Sequence, residues 1–304
     1  MNNKISEPLV SVIINCFNGA EYLNLAIDSV REQTYKNWEI IFWDNISTDN
    51  SAEIVHGYSD NRIKYFYADK HTPLYEARNR ALRETKGEFV AFLDVDDIWM
   101  REKLSAQIPL FDDQSVGFTC TKYILLNQRR SNVIEREIFA NQNLSEGKVT
   151  NELLSNYFVH MSTLIVRKKY LDLIPGPCDP RFTIIGDLDL VINLSKISNL
   201  AIVQRPLAYY RWHSDNTGLK NAYLFCDEFD VWFSEKDSDP EICNLDGYFE
   251  LKKKNMWNKC IKAVFEGRKK DAVRLARNQK FGRKLKICIS LLLPTKVTRR
   301  IIYG

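Results

Sequence analysis

Three apolar runs decide the fold: LVSVIIN at residues 9–15, WEIIFW at 38–43 and EFVAFL at 88–93, the last running directly into DVDD at 94–97. Each is rich in β-branched or aromatic residues and nearly continuous in apolar character, as a strand buried on both faces of a parallel sheet requires. Asn18-Gly19 breaks the first run, and Glu21 to Gln33 then carries Tyr22, Leu23, Ala26, Ile27 and Val30 at helical spacing. Asp44-Asn45 ends the second run, and Ser47, Asp49 and Ser51 offer caps for a helix through Tyr58. Arg62 to Tyr67 predicts a third strand and Pro73 to Arg83 a helix with Pro73 near its first turn, closed by Lys86-Gly87 before the fourth strand. Strands alternating with helices at this rhythm imply βαβ units and an α/β protein with a mostly parallel central sheet flanked by helices. Ligands of such sheets sit beyond the carboxyl ends of the strands. Asn15, Asp44 and Asp94 follow three of those strands and are expected to face one crevice.

Beyond Asp97 the pattern loosens. Lys103 to Phe111 reads as a helix, Val116 to Thr121 as a strand, and Gln128 to Lys148 as a polar, irregular excursion. Met161 to Val166 reads as a strand, Asp187 to Ile197 as a helix, and Leu200 to Val203 and Leu207 to Arg211 as two more strands. From Ala222 onward the chain reads as helical and increasingly basic. There is no internal repeat and no Gly/Ser linker.

With 304 residues, 45% hydrophobic and 12% aromatic, the chain can bury a substantial core and is not of disordered composition. Its seven cysteines are scattered without a C-x-x-C pair, which predicts reduced, buried thiols and a cytoplasmic setting. Met1 to Glu7 has no apolar run of signal-peptide type, and the longest apolar runs fall short of the ~20 residues of a spanning helix. The expectation is a soluble chain, or one peripheral at the inner face of the plasma membrane. The net charge of +4 hides an asymmetry: residues 250–304 carry 17 Lys/Arg and 3 Asp/Glu, a net of +14, so residues 1–249 carry −10. Such a tail calls for an anionic partner. Ile287 to Leu293 flanked by Lys284, Lys286, Lys296, Arg299 and Arg300, with Pro294 interrupting any helix, suits an anionic membrane surface. A solvated helix packed on the preceding domain is the alternative. No nucleic-acid motif accompanies the basic stretch, so nucleic acid is not expected as a partner.

Asp94, Asp96 and Asp97 place three carboxylates in four residues, and like charges that close repel. A divalent cation, Mg²⁺ or Mn²⁺, removes that cost, prefers carboxylate oxygens and commonly shares them with phosphate. Asp94 and Asp96 project to one side at period 2. The competing reading is a helix N-cap cluster before Ile98-Trp99. Asp44 is positioned to accept a hydrogen bond from a base or ribose, while Ser47 to Asn50 has the composition of turns and caps.

VSVIINCFNGAEYLNLAIDSVREQTYKNWEIIFWDNISTDNS at 10–51 and EARNRALRETKGEFVAFLDVDD at 76–97 together resemble the family 2 glycosyltransferases of the GT-A fold, densely over residues 9–100 and thinly to about residue 213. The resemblance implies an inverting, nucleotide-sugar-dependent transferase with UDP as the default nucleotide. It places a GT-A domain at 1–218, with a nucleotide-sugar half at about 1–100 and an acceptor half at about 101–218, ahead of a helical basic region at 219–304. It sets Asn15, Phe17 and Asn18 in the loop that cradles the nucleotide, where Asn15, Cys16 and Phe17 replace the usual Pro-Thr-Tyr. Asp44 falls on the base-reading aspartate, Arg78 and Asn79 on the segment beside the nucleotide, Asp94 on the residue that contacts the ribose, and Val95 among the residues that bind the nucleotide-sugar. Asp96 falls on the metal ligand, and His213, in Tyr209-Tyr210-Arg211-Trp212-His213, on a residue that completes the metal site or touches the diphosphate. Asp97 is less defined.

Inversion needs a carboxylate that takes the proton of the acceptor hydroxyl. Matching Leu190 to the family's leucine puts Asp187 on that base and Gly186 where the family usually has Glu. Asp187 as a helix cap, with Asp189 as the base instead, is the competing reading. His160 falls near the acceptor region. The implied acceptor is a saccharide or lipid-linked saccharide of bacterial surface polysaccharide. Two other classes stay in view. A sugar nucleotidyltransferase needs a Gly-rich, basic loop after the first strand, and residues 15–20 have one glycine and no base. A non-catalytic sugar- or nucleotide-binding module on a decayed transferase would account for Cys16, Phe17 and Gly186, but not for the retention of Asp94, Asp96 and Asp187.

Overall fold

The computed structural model describes residues 7–127, 135–138 (backbone only), 142–213, 216, 224–277 and 281–290. Much of the polar excursion, and the tail residues 291–304 with Pro294, Lys296, Arg299 and Arg300, lie outside the described residues. The chain forms two compact units, one of residues 1–150 and 157–220, the other of 151–156 and 221–304.

The first unit is built on a sheet. Its first half is parallel: β1 (Val10–Cys16), β2 (Trp38–Asp44), β3 (Ile63–Tyr67) and β4 (Phe89–Phe92) pair in the order β3-β2-β1-β4. Every residue of β2 and β4 is buried, the consequence of apolar runs covered on both faces. Helices α1 (Ala20–Arg31), α2 (Ser51–His56) and α3 (Leu74–Arg83) connect these strands. The starts of α1 and α2 share one carboxylate: Asp49 accepts the N–H of Ala20 through Oδ2 and that of Ser51 through Oδ1, both at 3.0 Å.

The second half of the sheet is mixed. It comprises β5 (Ile98–Trp99), β6 (Val116–Asn127), β7 (Glu135–Ile138), β8 (Ile165–Arg167) and β9 (Asn199–Trp212), continuing the order as β4-β8-β6-β9-β5 with β7 beside β6. Here β8 runs antiparallel to β4 and β6, and β5 antiparallel to β9. Helices α4 (Lys103–Gln107), α6 (Lys168–Leu171) and α7 (Gly186–Ile197) accompany it.

Several sequence expectations are corrected in this half. Ile98-Trp99 begins no helix but pairs with β9. The helix expected through Phe111 tightens to a 3₁₀ turn at Ile108–Asp112, where Pro109 removes a donor. The strand expected from Met161 starts only at Ile165, because Met161–Thr163 is a 3₁₀ turn. The two strands expected after residue 200 are one, β9, whose pairing with β6 shifts register around Lys122, opposite Pro206.

The second unit is helical: α5 (Thr150–Ser155, of which 151–155 belong here), α8 (Phe225–Lys236), α9 (Pro240–Cys243), α10 (Asp246–Phe265), α11 (Lys269–Ala276) and α12 (Phe281–Ser290). Phe229, Trp232, Phe233 and Tyr248 form an aromatic cluster, and Cys260, Ile261, Val264, Ala272 and Ile287 a smaller core. Val273, Leu285 and Ile289 are exposed. Among the described residues no helix is long and apolar enough to cross a membrane. The six cysteines whose side chains are described are free thiols.

Candidate active site

The acidic tetrapeptide turns at the end of β4, and its three carboxylates take different stations. Asp94 Oδ1 accepts from the Arg78 guanidinium at 2.6 Å. Arg78 is 3% exposed, and burial works against its charge, yet Asp94 beside it holds its pKa above the usual value. Asp96 Oδ2 lies 3.0 Å from His213 Nε2 and accepts from the Asn216 amide at 3.2 Å. Asp97 is sealed behind both: Oδ1 accepts the Arg211 N–H at 3.0 Å and Oδ2 the Ser162 hydroxyl. Burial, then the charges of Asp96 and Asp94, push its carboxyl well above the carboxylate range.

Ser162, inside the segment read from sequence as strand, spends every polar group it has here. Its Oγ also accepts the Asp94 N–H, its carbonyl the Trp99 indole N–H, and its own N–H goes to His160 Nδ1. The 3₁₀ turn thus replaces a strand in order to hold the acidic loop.

A cavity of about 520 Å³ opens in front of this turn. Of the residues singled out in the sequence, it is lined by Asn15, Phe17, Arg78, Asp94, Val95, Asp96, His160 and Asp187. Asn15 Nδ2 is buried there with no partner among the described residues, an orphaned donor of the kind a ligand oxygen satisfies. Phe17 is 52% exposed, its ring edge-on to His71 at 4.4 Å between centroids. Val95 packs on the turn after β1, where a Cβ at Gly19 would fall 2.7 Å from Val95 Cγ2.

The remaining singled-out residues lie outside the cavity lining. Asp44 is fully buried, with Oδ1 accepting the Ser47 N–H at 2.7 Å and Oδ2 the Tyr65 hydroxyl at 2.8 Å. Asn18 adopts φ 55°, a conformation asparagine tolerates, and accepts the Thr48 N–H at 2.7 Å. Asn79 exchanges both amide groups with the Cys178 backbone, at 2.6 and 3.1 Å. His213 stands behind Asp96, with Tyr22 against its ring.

Asp187 enters the cavity from the first turn of α7, whereas Asp189 is buried and accepts from the Asn193 amide at 3.2 Å. Burial raises the Asp187 carboxyl to about 6, against which its hydrogen bond from the Leu188 N–H and the charge of Arg78 act only partly. A carboxylate poised there takes a proton near neutral pH more readily than an ordinary aspartate. Sequence reading missed Thr72, Tyr75 and Tyr210, which also line the cavity, and Asn216, which joins Asp96 to the end of β9. Tyr210 packs on His160 at 4.2 Å between centroids.

The donor set suits a hard divalent cation. Ligand atoms of Asp94, Asp97 and His160 lie within 4.8 Å of one another. Both Asp97 oxygens already accept protein hydrogen bonds, so the carboxylates presented to the cavity are those of Asp94 and Asp96.

This site lies within a recognisable framework. The family model described as Glycosyl transferase family 2 matches residues 11–172, and the chain belongs to that family. It is a glycosyltransferase. Among relatives, it is 32% identical over 195 residues to the UDP-Glc:alpha-D-GlcNAc-diphosphoundecaprenol beta-1,3-glucosyltransferase WfgD of Escherichia coli, covering 64% of this chain and 73% of the relative. Among solved structures, S. aureus TarS 1–349 in complex with UDP-GlcNAc superposes with a TM-score of 0.58 at 14% identity, over 92% of this chain and 91% of the other. The mannosyltransferase PcManGT of Pyrobaculum calidifontis, in complex with GDP-Man and Mn²⁺, gives 0.61 at 15% identity, over 98% and 86%. These likenesses make the fold GT-A, a mixed α/β architecture.

Proposed function

We propose that this glycosyltransferase moves a sugar, with inversion, from a nucleoside-diphosphate sugar to a hydroxyl of a saccharide or lipid-linked saccharide in the synthesis of bacterial surface polysaccharide. The observation that carries the reading is the cavity itself. Asp187, a carboxylate with raised proton affinity, faces the same space as Asp94, Asp96 and Arg78. The same space can hold a leaving diphosphate beside a carboxylate that accepts a proton. Asp187 takes the acceptor O–H proton as that oxygen bonds to the anomeric carbon, and the anomeric carbon–phosphate oxygen bond breaks to release the nucleoside diphosphate. Arg78 neutralises charge near Asp94, and the orphaned Asn15 amide donates to the nucleotide. Asp96, supported by His213 and Asn216, is the residue we assign to a Mn²⁺ or Mg²⁺ ion. Such an ion, when bound, neutralises the diphosphate as it leaves. Phe17 and Asp44 complete the nucleotide side, Phe17 by contact and Asp44 by fixing the turn after β2. UDP is the default nucleotide, supported by the UDP-Glc donor that WfgD is named for and by the UDP-GlcNAc bound to TarS.

Catalysis is assigned to residues 1–218 and an anchoring role to the basic region from 219. There, exposed Val273, Leu285 and Ile289 accompany Lys284 and Lys286, a composition suited to an anionic membrane surface. Vesicles with and without anionic lipid test that assignment, and equal sedimentation with both would overturn it. The catalytic reading is tested by calorimetry with UDP, GDP and UTP, with and without Mn²⁺, followed by hydrolysis of a nucleotide-sugar panel. Metal-dependent diphosphate binding and slow sugar release are expected. A preference for triphosphate would favour a nucleotidyltransferase, and binding without any turnover a non-catalytic module.

A further inference from the structure

The helix that carries Asp187 starts without a local cap. Ile185 stands at its N-cap position and offers no side-chain acceptor, so the N–H groups of the first turn must be satisfied from elsewhere. The Leu188 N–H turns back to Asp187 Oδ1 at 2.7 Å. The Asp187 N–H instead donates, across 112 positions of sequence, to the Tyr75 hydroxyl at 3.0 Å. Tyr75 belongs to the first turn of α3 and is 4% exposed. Its ring occupies the space over Gly186: a Cβ there would fall 2.5 to 2.7 Å from Cζ, Cε2 and Cε1. The guanidinium of Arg78 lies 5.1 Å from the same ring centroid.

We infer that Tyr75 is a positioning residue for Asp187, fixing where its carboxylate stands through one hydrogen bond and one ring contact, with Gly186 the residue that makes room for the ring. The inference rests on the reading of Asp187 as the base. Gly186, which departs from the family's usual Glu, is then a requirement of this chain's own packing rather than a sign of decay. Any side chain at 186 would displace the ring, and with it the acceptor that holds the Asp187 backbone.

The Asp187 N–H also bonds that residue's own carboxylate, which lowers its proton affinity, so a hydroxyl that takes a share of the N–H weakens that bond. Burial is the first cause of the rise of that carboxyl to about 6. The charges facing Asp187 are Arg78, which opposes that rise, and Asp94, which adds to it. The tyrosines whose ionisation its charge disfavours are Tyr75, Tyr123, Tyr157 and Tyr210.

The test uses the full chain and the UDP-sugar that the wild type hydrolyses fastest in a panel, with UDP as the binding probe. Tyr75→Phe keeps the ring and removes the acceptor. We expect kcat to fall on the order of tenfold, the worth of one hydrogen bond. UDP affinity and donor KM should stay within about twofold of wild type, while the acidic limb of the kcat profile moves to lower pH. Gly186→Ala should lose more than that, and lose much less when introduced into Tyr75→Ala. Thermal unfolding of each variant separates misfolding from mispositioning. A Tyr75→Phe enzyme with unchanged kcat and an unmoved limb overturns the inference, as does a loss of UDP binding equal to the loss of kcat. Asp187→Asn separates the two levels. If it turns over normally, the assignment of the base has failed. If it is inactive while Tyr75→Phe is normal, only the role of Tyr75 has failed.

Discussion

The parallel half of the sheet and the mixed half put their polar residues to different uses. Along β1 to β4 most of the strand-end groups are consumed locally. Asp44 fixes the turn after β2, Asn18 holds the loop of Thr48, and Asp49 serves two helix starts. The wall they build leaves Asn15, Phe17, Arg78 and Asp94 to face the cavity. In the mixed half the polar groups act over long reaches of sequence. Ser162 and Arg211 hold Asp97, Asn216 holds Asp96, and Asp187 arrives on α7. One half supplies a cradle whose shape is set by turns. The other supplies the groups that steady the acidic loop and the carboxylate we assign as the base.

That contrast can be broken at its strongest point first. Asp187→Asn should lower transfer by about 10³-fold, the middle of the range for a general base, with UDP binding retained in calorimetry. Next, Asp96→Asn should reduce turnover by about 10²-fold and abolish any Mn²⁺ enhancement of UDP binding, which a titration with and without the ion would show. A smaller, continuous effect comes from pH. The base must be deprotonated to act, so kcat/KM should rise with pH to half its plateau near the raised pKa of about 6. The same carboxyl holds its proton more tightly folded than at its ordinary 3.8. Its contribution to stability is therefore complete below that value and lost as pH rises through about 6, a slope that Asp187→Asn should remove from a melting series. The least effect on turnover is expected from Asp44→Asn. If Asp44 works through its turn, the variant should lose about 1 kcal/mol of stability with little change in donor KM. A large rise in KM at unchanged stability would move Asp44 into direct contact with the nucleotide.

What could be read in advance follows the same divide. The runs around Val12, Ile41 and Ala91 are apolar on both faces, and only a covered parallel sheet accommodates that. Asp94 to Asp97 stood out because adjacent like charges need an explanation. The reach of Ser162, Tyr75 and Asn216 was not legible, since a serine inside an apolar segment carries no mark of its partners 65 residues away. Tyr75 had one faint signal, the glycine at 186, which becomes intelligible only once the ring over it is seen. Asn79 stands beside the nucleotide by its place in the sequence, and its amide bonds to Cys178 were not legible there.

The acidic loop owes its shape to Ser162, which ties the Asp94 backbone, the Asp97 carboxylate and the Trp99 indole to a single turn. The tetrapeptide is therefore not a portable cassette. Grafted onto the end of another strand, Asp-Val-Asp-Asp would carry over its charges without the geometry that sets one carboxylate inward and two outward. An engineer wishing to transplant this site would have to move the serine turn, and the strand that follows it, as part of the same graft.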